Sequence, residues 1–411
     1  MIALVYAGTV LLVFLMLELS LQVVVNYLRK DFQWLINKHD EYPYFNPEAL
    51  KKFFNNSFDK ELGWVRKAGS SGIEHGEFGD VKYHIDKHGS RKNVIKGTVS
   101  VATFGDSYTF CRQVEDDQTW QVYLSKSLNN KVLNFGVGNY GVDQALLYYK
   151  RHTLPLSTKV AILGFVPETI CRVQSYWKHY LEFGNTFAFK PRFILKNNKL
   201  ILHKNPIKHM SDYDEIDKVI DSIKYIDGFY ENKFRRLQFR FPYLMTFLLS
   251  FRRNYVLIYF LIKKKFFHIL GFDDVKVNNA PFSKIMHDNI YDAHEMYNDK
   301  QSCDLLESIL LEFCKQAKKK GHQPLIMVMP QLIDLKISND LDVAPYNNFF
   351  MDLSCKVPVI DITKYINNSE VDDLYTEDVY GGHFSAKGNK LVADVIFDYL
   401  NKTRKIHHRK K

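Results

Sequence analysis

Apolar positions are densest at the N-terminus. The run MIALVYAGTVLLVFLMLELSLQVVVNYL is apolar except for Glu18 and a few neutral polar residues. As a helix, residues 2–28 would extend about 40 Å, enough to cross a bilayer with tilt. No A-x-A-like cleavage site follows, which points to a retained anchor rather than a removed signal. Glu18 then requires a partner or the interface, because a carboxylate in hydrocarbon is costly. No Lys or Arg precedes the run, and Arg29 and Lys30 follow it. The positive-inside rule would keep the body in the cytoplasm.

Further along, the pattern alternates. Val99–Phe104 is a short apolar run rich in β-branched residues and reads as a buried strand. DQTWQVYLSKSL (117–128) reads as a helix, KVLNFGV (131–137) as a strand, DQALLYYKRHTL (143–154) as a helix and KVAILGFV (159–166) as a strand. The alternation resumes with the helix at 303–322, strands at 324–330 and 357–363, and a final helix at 385–400. In that helix Val392, Val395, Ile396, Tyr399 and Leu400 form an apolar stripe. Strand–helix alternation predicts an α/β fold with five parallel strands and covering helices.

These elements divide the chain into an anchor (1–28), a mixed polar extension (29–96), an α/β domain (97–403) and a basic tail (404–411). In the extension, KAGSSGIEHGEFGD (67–80) reads as loop. Residues 171–301 are too long for a crossover and read as an inserted subdomain. Its apolar pieces RFPYLMTFLLSF and NYVLIYFLIKKKFFHILGF are each too short to span a bilayer. They are read as core helices, although Lys263–Lys265 would also suit a helix lying on a membrane surface.

Composition adds little to the fold and something to the partners. The 411 residues carry a formal net charge of +10, concentrated in KTRKIHHRKK at the C-terminus, near Arg252 and Arg253, and at Lys263–Lys265. Such clusters suit anionic lipids or acidic glycans, and no nucleic-acid-binding signature accompanies them. The five cysteines, Cys111, Cys171, Cys303, Cys314 and Cys355, contain no CxxC pair and read as small buried hydrophobes.

Ligands of parallel α/β sheets bind beyond the carboxyl ends of the strands. There the sequence places Gly105-Asp106-Ser107, then GVGNYG (136–141), then FVPETI (165–170), and finally YTEDVYGGHFSAKGN (375–389) before the last helix. A serine, a glycine-rich turn, an acid and a histidine on one rim are the parts of a serine esterase site. A serine hydroxyl needs an adjacent base to take its proton. Histidine titrates near neutrality and can hand that proton to the leaving group. The oxyanion needs preorganised N–H donors, available at the backbone of Ser107 and of Gly138 or Asn139.

FGDS after a first strand, LNFGVGNYGVDQ after a second and GGHFSAKGN opening the last helix resemble the blocks of the SGNH (GDSL-type) hydrolase superfamily. The resemblance covers residues 97–170 and 320–400. It implies a flavodoxin-like three-layer sandwich, Ser107 as nucleophile, His383 as base, and Gly138–Asn139 at the glycine block of the oxyanion hole. It implies an esterase or O-acyltransferase that needs no metal or cofactor. Anchored bacterial relatives act on O-acetyl groups of cell-surface polysaccharides, which implies a body outside the cytoplasm and an acylated glycan as partner. Other readings are a non-catalytic glycan-binding or envelope-assembly protein and a lipid esterase. Two blocks depart from the family. Pro167 and Glu168 stand where the third block usually has asparagine, and an ionised Glu168 cannot donate a hydrogen bond. Tyr380 stands where the family places an acid, so Asp378, two residues earlier, is the candidate triad acid, with Glu377 beside it. Asp106 is assigned to the turn rather than to the triad.

Overall fold

The computed structural model describes residues 2–76, 79–340, 346–367, 369, 371–376 and 381–409. The chain divides into two units, one of Lys52–Gln174, Lys190–Lys208 and Asn289–Lys411, the other of Met1–Lys51, Ser175–Phe189 and His209–Asp288.

The first unit is built on five strands: β1 (Val99–Gly105), β2 (Lys131–Gly136), β3 (Val160–Phe165), β4 (Gln323–Val328) and β5 (Val359–Asp361). All pair in parallel, in the order β5-β4-β3-β1-β2. Every residue of the central strand β3 is buried, as expected where both faces of a parallel sheet are covered. Five helices matter for the site: α1 (Ser107–Phe110), α2 (Trp120–Leu128), α3 (Val142–Arg151), α4 (Lys300–Lys319) and α5 (Ala386–Arg409). Helices α2 and α5 pack together, and Trp120, Leu124, Val392 and Ile396 join Val101, Val132 and Ile162 in one core cluster. The opposite layer is aromatic. Phe104 stacks on Phe135 and meets Tyr148 and Tyr149 of α3 edge-on, and Tyr149 meets Phe313 of α4. Val101 and Phe104 thus serve different layers, as the two-residue alternation of a strand requires. The result is the α/β three-layer sandwich with a five-stranded parallel sheet.

The structure departs from the sequence reading in three places. Residues 67–80 are not a loop throughout, because Ser71–Gly76 pairs antiparallel with Gly79–His84. The ribbon is polar and largely exposed, so no apolar alternation marks it. Glu74, in ion pairs with Arg66 and Arg112, ties it down. The backbone of α5 runs on to Arg409, through most of the stretch read as a tail. None of the five cysteines forms a disulfide, and of the five read as buried, Cys303 is half-buried and Cys355 exposed.

The second unit contains a 28-residue helix, Ile2–Arg29, and the helices Tyr243–Leu249 and Phe251–Ile269, which meet at 107°. Ile2–Arg29 includes a stretch long and apolar enough to cross a membrane. Val25, Leu28, Leu35, Phe239, Leu257, Leu261 and Ile285 form the core of this unit. The reading of residues 240–272 as core helices is corrected here. Leu257 and Leu261 are buried, but Phe241, Met245, Leu248, Phe251, Tyr255, Tyr259 and Phe266 are exposed.

Candidate active site

Strands β1 and β2 end side by side, with Gly105 opposite Gly136 in the parallel register. Both ends are glycines for want of room. A Cβ on Gly105 would lie 1.8 Å from the Gly164 carbonyl oxygen, and one on Gly136 would lie 2.1 Å from the Phe110 nitrogen. The single turn of α1 folds back into that space, and Thr109 Oγ1 donates to the Gly164 carbonyl at 2.8 Å. Gly105→Ala is therefore expected to destabilise the fold by about 1–3 kcal/mol, as overpacking does. Chemical denaturation measures it, and a wild-type midpoint would refute the steric account.

Asp106 holds this turn. It is 1% exposed, and its carboxylate accepts from the Tyr108 N–H at 2.9 Å and, across to the end of β3, from the Val166 N–H at 2.9 Å. Burial pushes its carboxyl above the ordinary range, against the opposing pull of Arg172. All of its observed partners belong to the scaffold, in keeping with a turn-holding role.

Ser107 Oγ lies 3.0 Å from His383 Nε2. Residues 276 positions apart are thus within hydrogen-bond reach, the separation expected of a nucleophile and its base. The neighbours of His383 fix it in place. Its ring stacks on Tyr108 with centroids 4.9 Å apart, and the Tyr108 hydroxyl donates to the Gly382 carbonyl. The His383 carbonyl accepts from the Thr376 N–H at 2.8 Å. Gly382 has φ +77°, and a Cβ there would lie 2.7 Å from Leu332 Cβ, so glycine is required. Ser107, Tyr108, Cys111, Arg112, His383 and Phe384 line a narrow cleft. Burial pushes the Cys111 thiol up to about 12, which leaves it protonated and inert beside the serine.

The other predicted residues fall as follows. Gly138 is half-buried and Asn139 exposed, two and three residues beyond the end of β2, with Asn139 at φ +65°. The Gly138 carbonyl is held by Trp64 Nε1 at 3.0 Å. The turn after β2 is therefore anchored at the sheet end where Ser107 stands. Asp378, Glu377 and Tyr380 lie outside the described residues. Glu168, which stands where the third block usually has asparagine, is 2% exposed and within the site's framework.

Two arginines were not anticipated. Arg172 donates to Glu168 Oε2 at 2.5 Å, to Asp106 Oδ2 at 3.4 Å and to the Tyr140 carbonyl at 3.3 Å. It therefore joins the loops that follow β3, β1 and β2. Glu168 Oε2 also accepts from Gln331 Nε2 at 3.3 Å. Arg91, 2% exposed, donates to the carbonyls of Phe110, Cys111 and Val114 at 2.6–2.8 Å and so closes the turn after α1. The sequence signals for both are faint: a basic residue four positions after Glu168, and one in a polar loop.

No protein-family model matches the chain, and no curated protein matches it. A solved structure from Desulfitobacterium hafniense DCB-2, named for the G-D-S-L family with an assumed lipolytic role, aligns with 74% of this chain and 99% of its own, at 9% identity and a TM-score of 0.34.

Proposed function

We propose that the chain is a membrane-anchored serine esterase or O-acyltransferase of the SGNH type. The contact of Ser107 Oγ with His383 Nε2 at 3.0 Å carries this reading. Ser107 Oγ attacks the ester carbonyl and its proton passes to His383 Nε2. The tetrahedral intermediate expels the alcohol, which takes that proton, and an acyl-serine remains. Water, or the hydroxyl of a second sugar, then attacks the acyl group with His383 accepting its proton, and the acyl–Oγ bond breaks as that proton returns to Ser107 Oγ, releasing the acid or the new ester. The N–H groups of Ser107 and of Gly138 or Asn139 receive the oxyanion, and Asp378 orients the imidazole.

An acetyl ester on a cell-surface polysaccharide is the substrate that the resemblance implies, and the formal net charge of +10 suits an acidic glycan. The anchor helix holds the enzyme at a membrane in this reading, and a cell-surface glycan as substrate requires its body on the outer side, against the charge signal of Arg29 and Lys30.

A fluorophosphonate probe tests the nucleophile. Wild-type protein is expected to label, Ser107→Ala not at all and His383→Ala far more slowly. Folded wild-type protein that stays unlabelled and releases no acetate from any of a panel of acetylated glycans would favour a non-catalytic, glycan-binding role. Release of fatty acid from phospholipid without acetate release would favour a lipid esterase.

A further inference from the structure

We infer that the second unit is seated in the bilayer by three helices rather than one: Ile2–Arg29, Tyr243–Leu249 and the first part of Phe251–Ile269. Along Ile2–Arg29, Ile2 and residues 4–17 are exposed except for half-buried Phe14, and the packed part begins at Glu18. The stretch long and apolar enough to cross a membrane is Leu4–Arg29, which includes Glu18. Apolar residues stay exposed beyond it, at Leu19, Val23 and Tyr27. A bilayer crossed by this stretch therefore also covers Glu18 and the turn beyond it.

What packs at that level is the bent pair. Glu18 is 3% exposed, and its carboxylate accepts from the backbone N–H of Tyr243 at 2.5 Å and of Leu244 at 2.8 Å. Both N–H groups lack an acceptor within their own helix, since the first turn of a helix leaves its donors unpaired. An acid that would be expensive in lipid and donors that would be equally expensive satisfy each other inside protein. The start of Tyr243–Leu249 thus lies at the depth of Glu18, within the hydrocarbon.

The surface there is apolar. Phe241, Met245, Leu248, Leu249, Phe251 and Tyr255 are each 49–75% exposed, and large apolar side chains exposed together mark a surface that meets a membrane or a partner. The second arm does not cross. It turns through 107°, buries the stripe Asn254, Leu257 and Leu261, and then carries Lys263, Lys264 and Lys265. Lys265 pairs with Asp31, just past the end of Ile2–Arg29, and lies 4.2 Å from the centre of the Tyr27 ring. That ties the lysines to the end of the span, where basic side chains meet lipid headgroups. Acyl chains are thus the occupant of the face formed by residues 241–255.

The inference rests on the anchor crossing a bilayer and is independent of the esterase reading. Full-length protein in phosphatidylcholine vesicles containing a phospholipid with a diazirine near the acyl terminus would be irradiated and its peptides mapped by mass spectrometry. Adducts are expected on residues 241–255 at yields within a few-fold of those on residues 2–17. Hydroxyl-radical footprinting should spare both segments. Adducts on residues 2–17 alone, with 241–255 oxidised from water or crosslinked to protein, would overturn the inference and leave the single anchor standing. No adducts on either segment would overturn both.

Discussion

His383→Ala is expected to lower ester turnover by about 10³–10⁴-fold, and adding Ser107→Ala should lower it little further, because groups that act as a unit are not additive. The reasoning starts from the serine. At neutral pH its hydroxyl attacks slowly unless the proton leaves as the bond forms, and the imidazole 3.0 Å away is the titratable group observed in contact with it. Cys111 offers no alternative nucleophile, since its thiol is held protonated. Removing the base and removing the nucleophile thus disable the same step. Residual turnover should come from the oxyanion donors and from substrate binding, which neither substitution touches. Steady-state kinetics on an activated acetyl ester measures both variants and the double variant. If His383→Ala turns over within an order of magnitude of wild type, or if the two losses multiply, the pair does not work as a nucleophile and its base.

The stretch from Val99 to Ser107 was legible because several local signals agree there. A β-branched run predicts the strand, and a glycine, an acid and a hydroxyl announce a tight turn. The turn is tight because Gly105 and Gly136 leave room for α1, a fact about volume that the letters only hint at. The five strands were readable for the same reason, but their order β5-β4-β3-β1-β2 was not written in any one of them. What escaped were partnerships across long separations. Arg91 reaches Phe110, Cys111 and Val114 from a polar loop, and no periodicity marks it. Glu18 looked like a flaw in a membrane span until two N–H groups more than 220 residues away were seen to meet it. Apolar residues at 241–266 looked like core because composition does not say which face of a helix is covered. Asp378, the acid that the sequence proposed two places from its expected position, lies outside the described residues.

Arg172→Leu is expected to destabilise the sheet-bearing unit by about 3–5 kcal/mol, the loss typical of one partner removed from a buried ion pair. Glu168 and Asp106 are 2% and 1% exposed, and each would keep a buried carboxylate without the guanidinium that now faces it. Asp106 retains two backbone N–H donors and Glu168 retains the Gln331 amide, but Arg172 lies 2.5 Å from Glu168 and 3.4 Å from Asp106, so Glu168 should account for more of the loss. Adding Glu168→Gln to Arg172→Leu should therefore recover part of it, because a neutral amide is less costly to bury than a carboxylate that has lost its guanidinium. Arg172→Lys should fall between, since one ammonium cannot reproduce a planar fork that reaches two carboxylates and the Tyr140 carbonyl. Urea unfolding measures all three. A loss for Arg172→Leu of less than about 1 kcal/mol, the range of exposed ion pairs, would show that the clamp contributes little. Function separates a clamp from mere bulk. Arg172 joins the turn holding Ser107 to the turn carrying Gly138 and Asn139, so in Arg172→Lys, if folded, kcat should fall while KM changes little. That pattern follows from displaced oxyanion donors, which act in the transition state rather than on bound substrate. A rise in KM at constant kcat would instead place Arg172 in substrate binding and refute its role in positioning the donors.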